Sequence, residues 1–323
     1  MIILAPMQGL TELLFRRAYE MVFPGMIDCS ISPFLSLTHG NLKDAWKKID
    51  DVVPEKNVGS IPVIPQILGN EPLEFVDLAN RLYDIGYEEI NWNIGCPMRR
   101  VAGKHRGAGI LPYPNEVRTV LENVIPQMKG SFSVKMRLGY YNEREIFDLI
   151  PILNDYPIKN VTIHPRIGKQ VYSGVPNMLL FSQVLPLIHH PVIYNGDVCT
   201  SDRYLYIKAT YPEIKDIMIG RGILFDPLLP SKIKGIETPI TKSQEFILVL
   251  VEAILQRQMP IQSKIRKIKE YWCLQYKSLG VTELQKYELL HTSDLKDTIA
   301  AILKYAPIDL FPQYEFVEIR KWI

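Results

Sequence analysis

Short apolar runs and longer amphipathic stretches alternate along the first 235 residues. The runs at 2–5 (IILA), 27–31 (IDCSI), 62–67 (PVIPQI), 89–93 (EINWN), 132–137 (FSVKMR), 160–164 (NVTIH), 191–195 (PVIYN) and 216–220 (DIMIG) predict eight strands. Helical patterns lie between most of them, at 72–84, 114–128, 143–154, 178–188 and 201–209. Strand–helix alternation implies parallel strands joined by crossovers. Eight such strands within about 230 residues predict an α/β fold of the closed (β/α)8, or TIM-barrel, type. An open doubly wound sheet is the rival, and its dinucleotide-binding form carries a glycine fingerprint after the first strand. Pro6-Met7-Gln8-Gly9 does not match it. Beyond about 235 the strands stop. Residues 236–242 read as a linker, followed by helical patterns at 243–258, 260–279, 283–291 and 293–305. Two domains are expected: a barrel over 1–235 and a small all-helical domain over 243–323.

Composition narrows the function classes only slightly. The 323 residues are 47% hydrophobic and 22% charged, enough for a large core, and the net charge of +2 leaves any basic surface local. The four cysteines show no CxxC spacing and no histidine pairs at ligand spacing. No metal site and no disulfide framework are expected, and a reducing, cytoplasmic setting fits. The apolar start is too short for a signal peptide, no run reaches membrane-spanning length, and no membrane partner is expected.

The candidate chemistry falls at the strand ends, where barrels collect functional groups. Asn93 and Cys96 close the fourth predicted strand and open a loop with Arg99, Arg100, Lys104 and Arg106 and no acid between 97 and 110. A cysteine there is placed for chemistry on an anionic partner, although most buried cysteines are small core residues. Pro6-Met7 follow the first strand and Gln66 ends the third. Lys135 and Arg137 share one face of the fifth, where a cation needs an anionic partner or a route to solvent. His164 and Arg166 close the sixth; a lone histidine is more often structural. Asn195-Gly196-Asp197 and Gly220-Arg221-Gly222 close the last two strands, the frequent phosphate site of barrels. Cys29, Cys199 and Cys273 read as core, and His189-His190 as surface at the opposite end.

In order along residues 1–230, these motifs resemble those of the tRNA-dihydrouridine synthases. The matching stretches are Ala5-Pro6-Met7, Asn93-Ile-Gly-Cys96-Pro97, Val134-Lys135-Met-Arg137-Leu-Gly139, His164-x-Arg166…Tyr172-Ser-Gly174, Asn195-Gly-Asp197 and Ile219-Gly-Arg221-Gly222. The helical region resembles the family only in size and placement. The resemblance implies an FMN-dependent oxidoreductase that reduces the C5=C6 bond of selected tRNA uridines to 5,6-dihydrouridine, with NADPH restoring the flavin. It implies Pro6 and Met7 against the flavin ring, and Gln66, Lys135 and His164 at its polar edge. Asn195, Gly196, Asp197, Gly220 and Arg221 would hold its ribityl chain and phosphate. Hydride would pass from flavin N5 to C6 while Cys96 protonates C5. A thiol near its reference pKa of about 8.5 carries that proton at neutral pH, whereas neighbouring arginines favour thiolate. The family commonly reads His-Gly-Arg-Thr or His-Ala-Arg-Thr after the sixth strand; here it is His164-Pro165-Arg166-Ile167, which lacks the hydroxyl.

A tRNA substrate calls for a basic surface around the pocket, because its bases are reached by splaying them out. Asn93, Arg99, Arg100, Lys104 and Arg166 are the expected contacts near the pocket. Lys264, Arg266 and Lys267 form a second cluster within 260–279, which holds five Lys/Arg against Glu270 alone. Trp272 and Tyr276 read as the apolar underside of that helix. A monomer suffices for such a substrate. Two other classes compete: an FMN barrel acting on a small molecule, which needs no basic appendage, and a non-catalytic tRNA-binding protein, for which Cys96 would be dispensable.

Overall fold

The computed structural model describes residues 1–37 and 49–322. Ten strands follow in chain order: β1 Ile2–Leu4, β2 Cys29–Ile31, β3 Leu35–Ser36, β4 Val63–Ile64, β5 Gln66–Leu68, β6 Glu89–Ile94, β7 Ser131–Gly139, β8 Val161–Ile167, β9 Val192–Asn195 and β10 Ile217–Ile219. The pairings among them are parallel. β1 pairs with both β10 and β2, β2 pairs with β4, and β3 pairs with β5. Only Pro65 separates β4 from β5, and β5 pairs with β6. Proline has no N–H to give a ladder, so it interrupts a strand without redirecting it. The ten pieces thus occupy eight positions of a closed parallel barrel, at the eight places predicted.

The strand pattern decides what lies inside. Outward residues such as Ile90, Trp92, Val134, Met136, Val161 and Ile163 are fully buried beneath the helical layer. Around β9, β10, β1 and β2 the interior is apolar: Ile193, Met218, Ile3, Ala5 and Ile31 form their own cluster. The other half is polar. Register places Gln66 beside Asn91 and Asn91 beside Ser133, and one level higher Asn93 beside Lys135. A barrel interior is normally packed with apolar side chains, so a polar half marks the side built for something other than packing.

Helices Pro72–Asp84, Pro114–Val124, Ile146–Asn154, Met178–Val184 and Ser201–Thr210 follow the expected segments. After the barrel come Thr241–Gln256, Ile261–Gln275, Glu283–Leu290 and Leu295–Leu303, again where the pattern places them. Helix Leu13–Val22, absent from the sequence reading, joins the two regions. Its buried Phe15, Ala18, Tyr19 and Val22 sit at helical spacing. Phe15 meets Phe246 edge-on at 5.4 Å and stacks on Tyr271 at 6.0 Å, while Tyr19 meets Phe246 at 5.6 Å. Tyr271 Oη also donates to the Leu10 carbonyl at 2.6 Å, so the helical region holds the loop after β1. Trp272 and Tyr276 are buried, as the helix pattern predicts. Among the described residues no helix is long and apolar enough to cross a membrane.

Candidate active site

The carboxyl ends of the strands open onto a cavity of about 460 Å³. Twelve of the residues singled out from sequence line it together: Pro6, Met7, Asn93, Cys96, Arg100, Lys135, His164, Asn195, Gly196, Asp197, Gly220 and Arg221. Parallel strands explain the convergence, because every β-to-α turn emerges at one face.

The loop after β6 is built around Cys96. Asn93 Oδ1 accepts the backbone N–H groups of Gly95 (3.0 Å) and Cys96 (2.9 Å), which turns the chain sharply at the strand end. The Cys96 carbonyl accepts from Ala108 N at 2.9 Å, folding the glycine-rich segment back over it. Gly107 has φ +55°, and a Cβ there would sit 2.7 Å from the Cys96 carbonyl oxygen. Its glycine therefore serves close packing against the cysteine rather than an anion. Arg106 is likewise structural: it is buried, donates from Nε to Asn70 Oδ1 at 2.9 Å, and reaches the Leu37 carbonyl. Arg99, Arg100 and Lys104 stay exposed, but only Arg100 reaches the cavity wall.

Burial pushes the Cys96 thiol above its ordinary pKa. The Met98 N–H and the charges of Arg137, Lys135 and Arg100 pull it down without prevailing. The thiol is therefore protonated at neutral pH, and the cations beside it stabilise the thiolate left when the proton departs.

Lys135 Nζ donates to Asn195 Oδ1 at 2.8 Å. Burial, reinforced by Arg137, lowers its pKa to about 7. Arg137, quoted in a sequence motif but not singled out as a site residue, lines the cavity as the alternation with Lys135 allows. Its guanidinium donates to the carbonyls of Gly95 (3.0 Å), Ile167 (2.9 Å) and Val171 (2.8 Å), tying the loops after β6 and β8 together. His164 is buried, and its Nδ1 has no hydrogen-bond partner among the described residues. Burial and the surrounding Arg137, Lys135, Arg166 and Arg221 drive its pKa well down, so the imidazole is neutral.

Asp197 is the carboxylate among the described lining residues. Arg166 grips it through two bonds, Nη1 to Oδ1 at 2.8 Å and Nη2 to Oδ2 at 2.5 Å, and Arg221 reaches Oδ1 as well. Burial raises the carboxyl's pKa, but the two guanidiniums outweigh it and hold the group below its usual range. The Asp197 backbone is left-handed, φ +47°, a conformation that aspartate tolerates better than most residues. At Gly222 a Cβ would lie 2.1 Å from the Val198 carbonyl oxygen, so only glycine lets the last two loops approach. The Tyr172 ring lies under the guanidiniums of Arg137 (5.8 Å) and Arg221 (4.5 Å), and its hydroxyl reaches Met7 Sδ. Its place in the His164…Gly174 motif was the available signal.

Seven sequence candidates lie off the cavity. Gln66 is fully buried one level down, opposite Asn91. Arg166 is 1% exposed and spends its donors on Asp197, Ser173 and Gly174, so it shapes the wall from behind. Arg99 and Lys104 are exposed on the loop after β6. Lys264 Nζ binds the Leu255 carbonyl, while Lys267 Nζ binds the Gly9 carbonyl and Glu270; Arg266 remains exposed.

A family model described as Dihydrouridine synthase (Dus) matches residues 3–286. The tRNA-dihydrouridine synthase B of Pasteurella multocida is 29% identical over 229 residues, which cover 71% of this chain and 67% of that protein. The tRNA-dihydrouridine(16) synthase of Neisseria meningitidis serogroup B is 25% identical over 301 residues, 87% of each chain. Among solved structures, histamine dehydrogenase from Rhizobium sp. 4-9 aligns with a TM-score of 0.55 at 12% identity, over 78% of this chain and 48% of that one. The old yellow enzyme from Trypanosoma cruzi aligns at 0.52 and 9% identity, over 72% of this chain and 88% of that one. Those two likenesses carry the barrel fold. The family match spans nearly the whole chain, and the protein is therefore a member of the dihydrouridine synthase family of oxidoreductases.

Proposed function

We propose that this protein reduces selected tRNA uridines to 5,6-dihydrouridine, with FMN as bound cofactor and NADPH as reductant. One observation carries the reading. A protonated thiol, Cys96, and an unpartnered buried imidazole nitrogen, His164 Nδ1, face the same cavity as the ammonium of Lys135.

The residues present fit FMN. The cavity is of a size that small ligands fill. Its floor is apolar at Ala5 and Met218, with Pro6 and Met7 beside them, which suits a flat ring. Among the described residues His164 Nδ1 lacks a partner, which a polar ring edge would supply, and burying it alone is costly. Lys135 and Arg221 supply the charge that an anionic ring edge and a phosphate require, with Asn195, Gly196, Asp197 and Gly220 around them. FMN, when bound, supplies hydride to the substrate and takes it from NADPH.

The chain's own residues do the rest. Cys96 holds a proton on Sγ for uracil C5. Asn93, whose Oδ1 is committed to the loop, positions the turn from which the thiol points. Arg137, Lys135 and Arg100 stabilise the thiolate, and the same burial that keeps the resting thiol neutral makes it basic enough to be reprotonated. Arg99, Arg100 and Lys104 at the mouth, and Arg266 with Lys264 and Lys267 on the helical region, form the RNA-facing surface, with residues 243–323 acting as the tRNA-binding part.

The test is direct. Purified protein is incubated with NADPH and tRNA lacking dihydrouridine, and the product nucleoside is measured. Cys96→Ala is expected to stay yellow and lose turnover. Reduction of free small enones without any action on tRNA, or full turnover by Cys96→Ala, refutes the reading.

A further inference from the structure

The loop after β1 carries Pro6 and Met7 to the cavity, and one buried hydroxyl sets its shape. Ala5 N donates to the Ile219 carbonyl at 2.9 Å, which ties the start of the loop to β10. Pro6 has no N–H, so Met7 N is the next donor along the chain. Thr11 Oγ1 accepts it at 2.8 Å and donates to the Ala5 carbonyl at 2.9 Å, and Thr11 is fully buried. A backbone N–H only donates, so the hydroxyl proton is left for Ala5, and a single side chain closes the turn on both sides of Pro6. The Met7 carbonyl accepts from Leu10 N at 2.8 Å and from Thr11 N at 3.0 Å. Gly9, between them, takes φ +78°, which glycine adopts without strain. This turn lays Met7 against Gly220, where a Cβ would lie 3.5 Å from Met7 Sδ.

Other segments hold the outer side of the same loop. Arg16 is fully buried, donates to the Thr11 carbonyl at 3.0 Å and pairs with Asp51 at 3.1 Å. Two residues of helix Ile261–Gln275 reach in from the helical region. Tyr271 Oη donates to the Leu10 carbonyl at 2.6 Å, and Lys267 Nζ donates to the Gly9 carbonyl. Tyr271 is 1% exposed, so its hydroxyl serves this loop and is closed to an RNA backbone. The loop beside the cavity is thus fastened to the region that carries the second basic cluster.

We infer that Thr11 is a positioning residue that sets Pro6 and Met7 in place for FMN, and that Tyr271 of the helical region is its outer anchor. The inference rests on FMN occupying the cavity. It gives the helical region a part in cofactor binding besides its part in tRNA binding. A loop released from either hold spends time in shapes that do not complete the site. The apparent Kd of a ligand then rises by the inverse of the fraction that stays competent.

The experiment strips FMN from the full-length protein and titrates it back by flavin fluorescence. Also read are the absorption spectrum of the bound flavin, the urea midpoint, and KM for tRNA at saturating FMN. Thr11→Val removes the hydroxyl and is expected to raise the Kd for FMN about tenfold or more and to shift the flavin absorption band. Thr11→Ser keeps the hydroxyl and stays within about threefold of the parent. Tyr271→Phe removes one oxygen and is expected to raise the Kd about threefold or more, with KM for tRNA changed less than about twofold. Tyr276→Phe is the control. It strips another buried hydroxyl of the helical region, the one that donates to Glu283, and should lower the urea midpoint without moving the Kd. Tyr271→Phe keeps the test decisive if Thr11→Val fails to fold. Parent-like FMN affinity and spectrum in Tyr271→Phe overturn the inference. An equal loss of affinity in Tyr276→Phe overturns it too, because the effect is then general destabilisation. A raised KM for tRNA with unaltered FMN affinity places Tyr271 on the RNA surface and also overturns it. A parent protein that binds no FMN instead removes the underlying reading, and is a separate result.

Discussion

Lys135 offers a test of the site that needs no substrate. Burial and Arg137 lower its pKa to about 7, while in the unfolded chain it returns to the ordinary value of about 10.4. Between these values the unfolded state binds the proton and the folded state does not, so stability rises with pH. Starting at pH 7, where the folded lysine is half protonated, the slope grows toward about 1.4 kcal/mol per pH unit. Integrated from pH 7.0 to 8.5, Lys135 alone adds about 1.6 kcal/mol to the FMN-free protein. Cysteine thiols raised by burial, Cys29 to about 12 and Cys96 in the same direction, work the other way above their unfolded pKa. The informative quantity is therefore the parent minus Lys135→Met, measured by urea unfolding of FMN-free protein at half-unit pH steps. That difference is expected to move in favour of the parent by between one and two kcal/mol across the window, on the order of the integrated value. Saturating FMN should flatten it, because an anion beside Nζ keeps the lysine protonated. A difference that stays constant with pH shows Lys135 charged throughout and refutes the electrostatics.

Other expectations follow from packing and pairing. Arg166→Leu strips two charge-assisted bonds from Asp197 and should destabilise by about 3–5 kcal/mol, seen as a lower urea midpoint with an unchanged slope. Phe246→Ala empties the aromatic joint with Phe15 and Tyr19 and should cost about 3–5 kcal/mol. Glutamate at Arg100 or Arg266 should weaken tRNA binding and reduce its salt dependence by about one unit of slope each, whereas Arg106→Ala should lower stability without that signature. Equal salt slopes in the parent and the Arg266 variant would remove the helical region from the RNA surface.

Family, barrel and cavity wall were readable from the chain because they rest on local rules. A β-branched run bounded by turn residues makes a strand wherever it lies, and every β-to-α turn of a parallel barrel faces one way. That is why Pro6, Cys96, Lys135, His164 and Arg221, scattered over more than 200 positions, meet around one cavity. Position along the chain also marked Arg137 and Tyr172, whose motif membership was visible while their contacts were not.

What tertiary structure alone decided is which way each polar group spends itself. In sequence Arg166 reads as a substrate contact and Arg106 as part of the basic loop, yet one is committed to Asp197 and the other to Asn70 and Leu37. Gln66 ends a strand like any polar residue, and only the register against β6 sets it beneath Asn93. The protonation of Cys96 depends on the balance between burial and three cations, two from strand β7 and one from the loop after β6. Sequence determines which groups are present and, through periodicity, which end of the barrel they reach. Their charge state and partners are set by distances between distant segments, because hydrogen bonding and desolvation act over a few ångströms of space and not over positions in the chain.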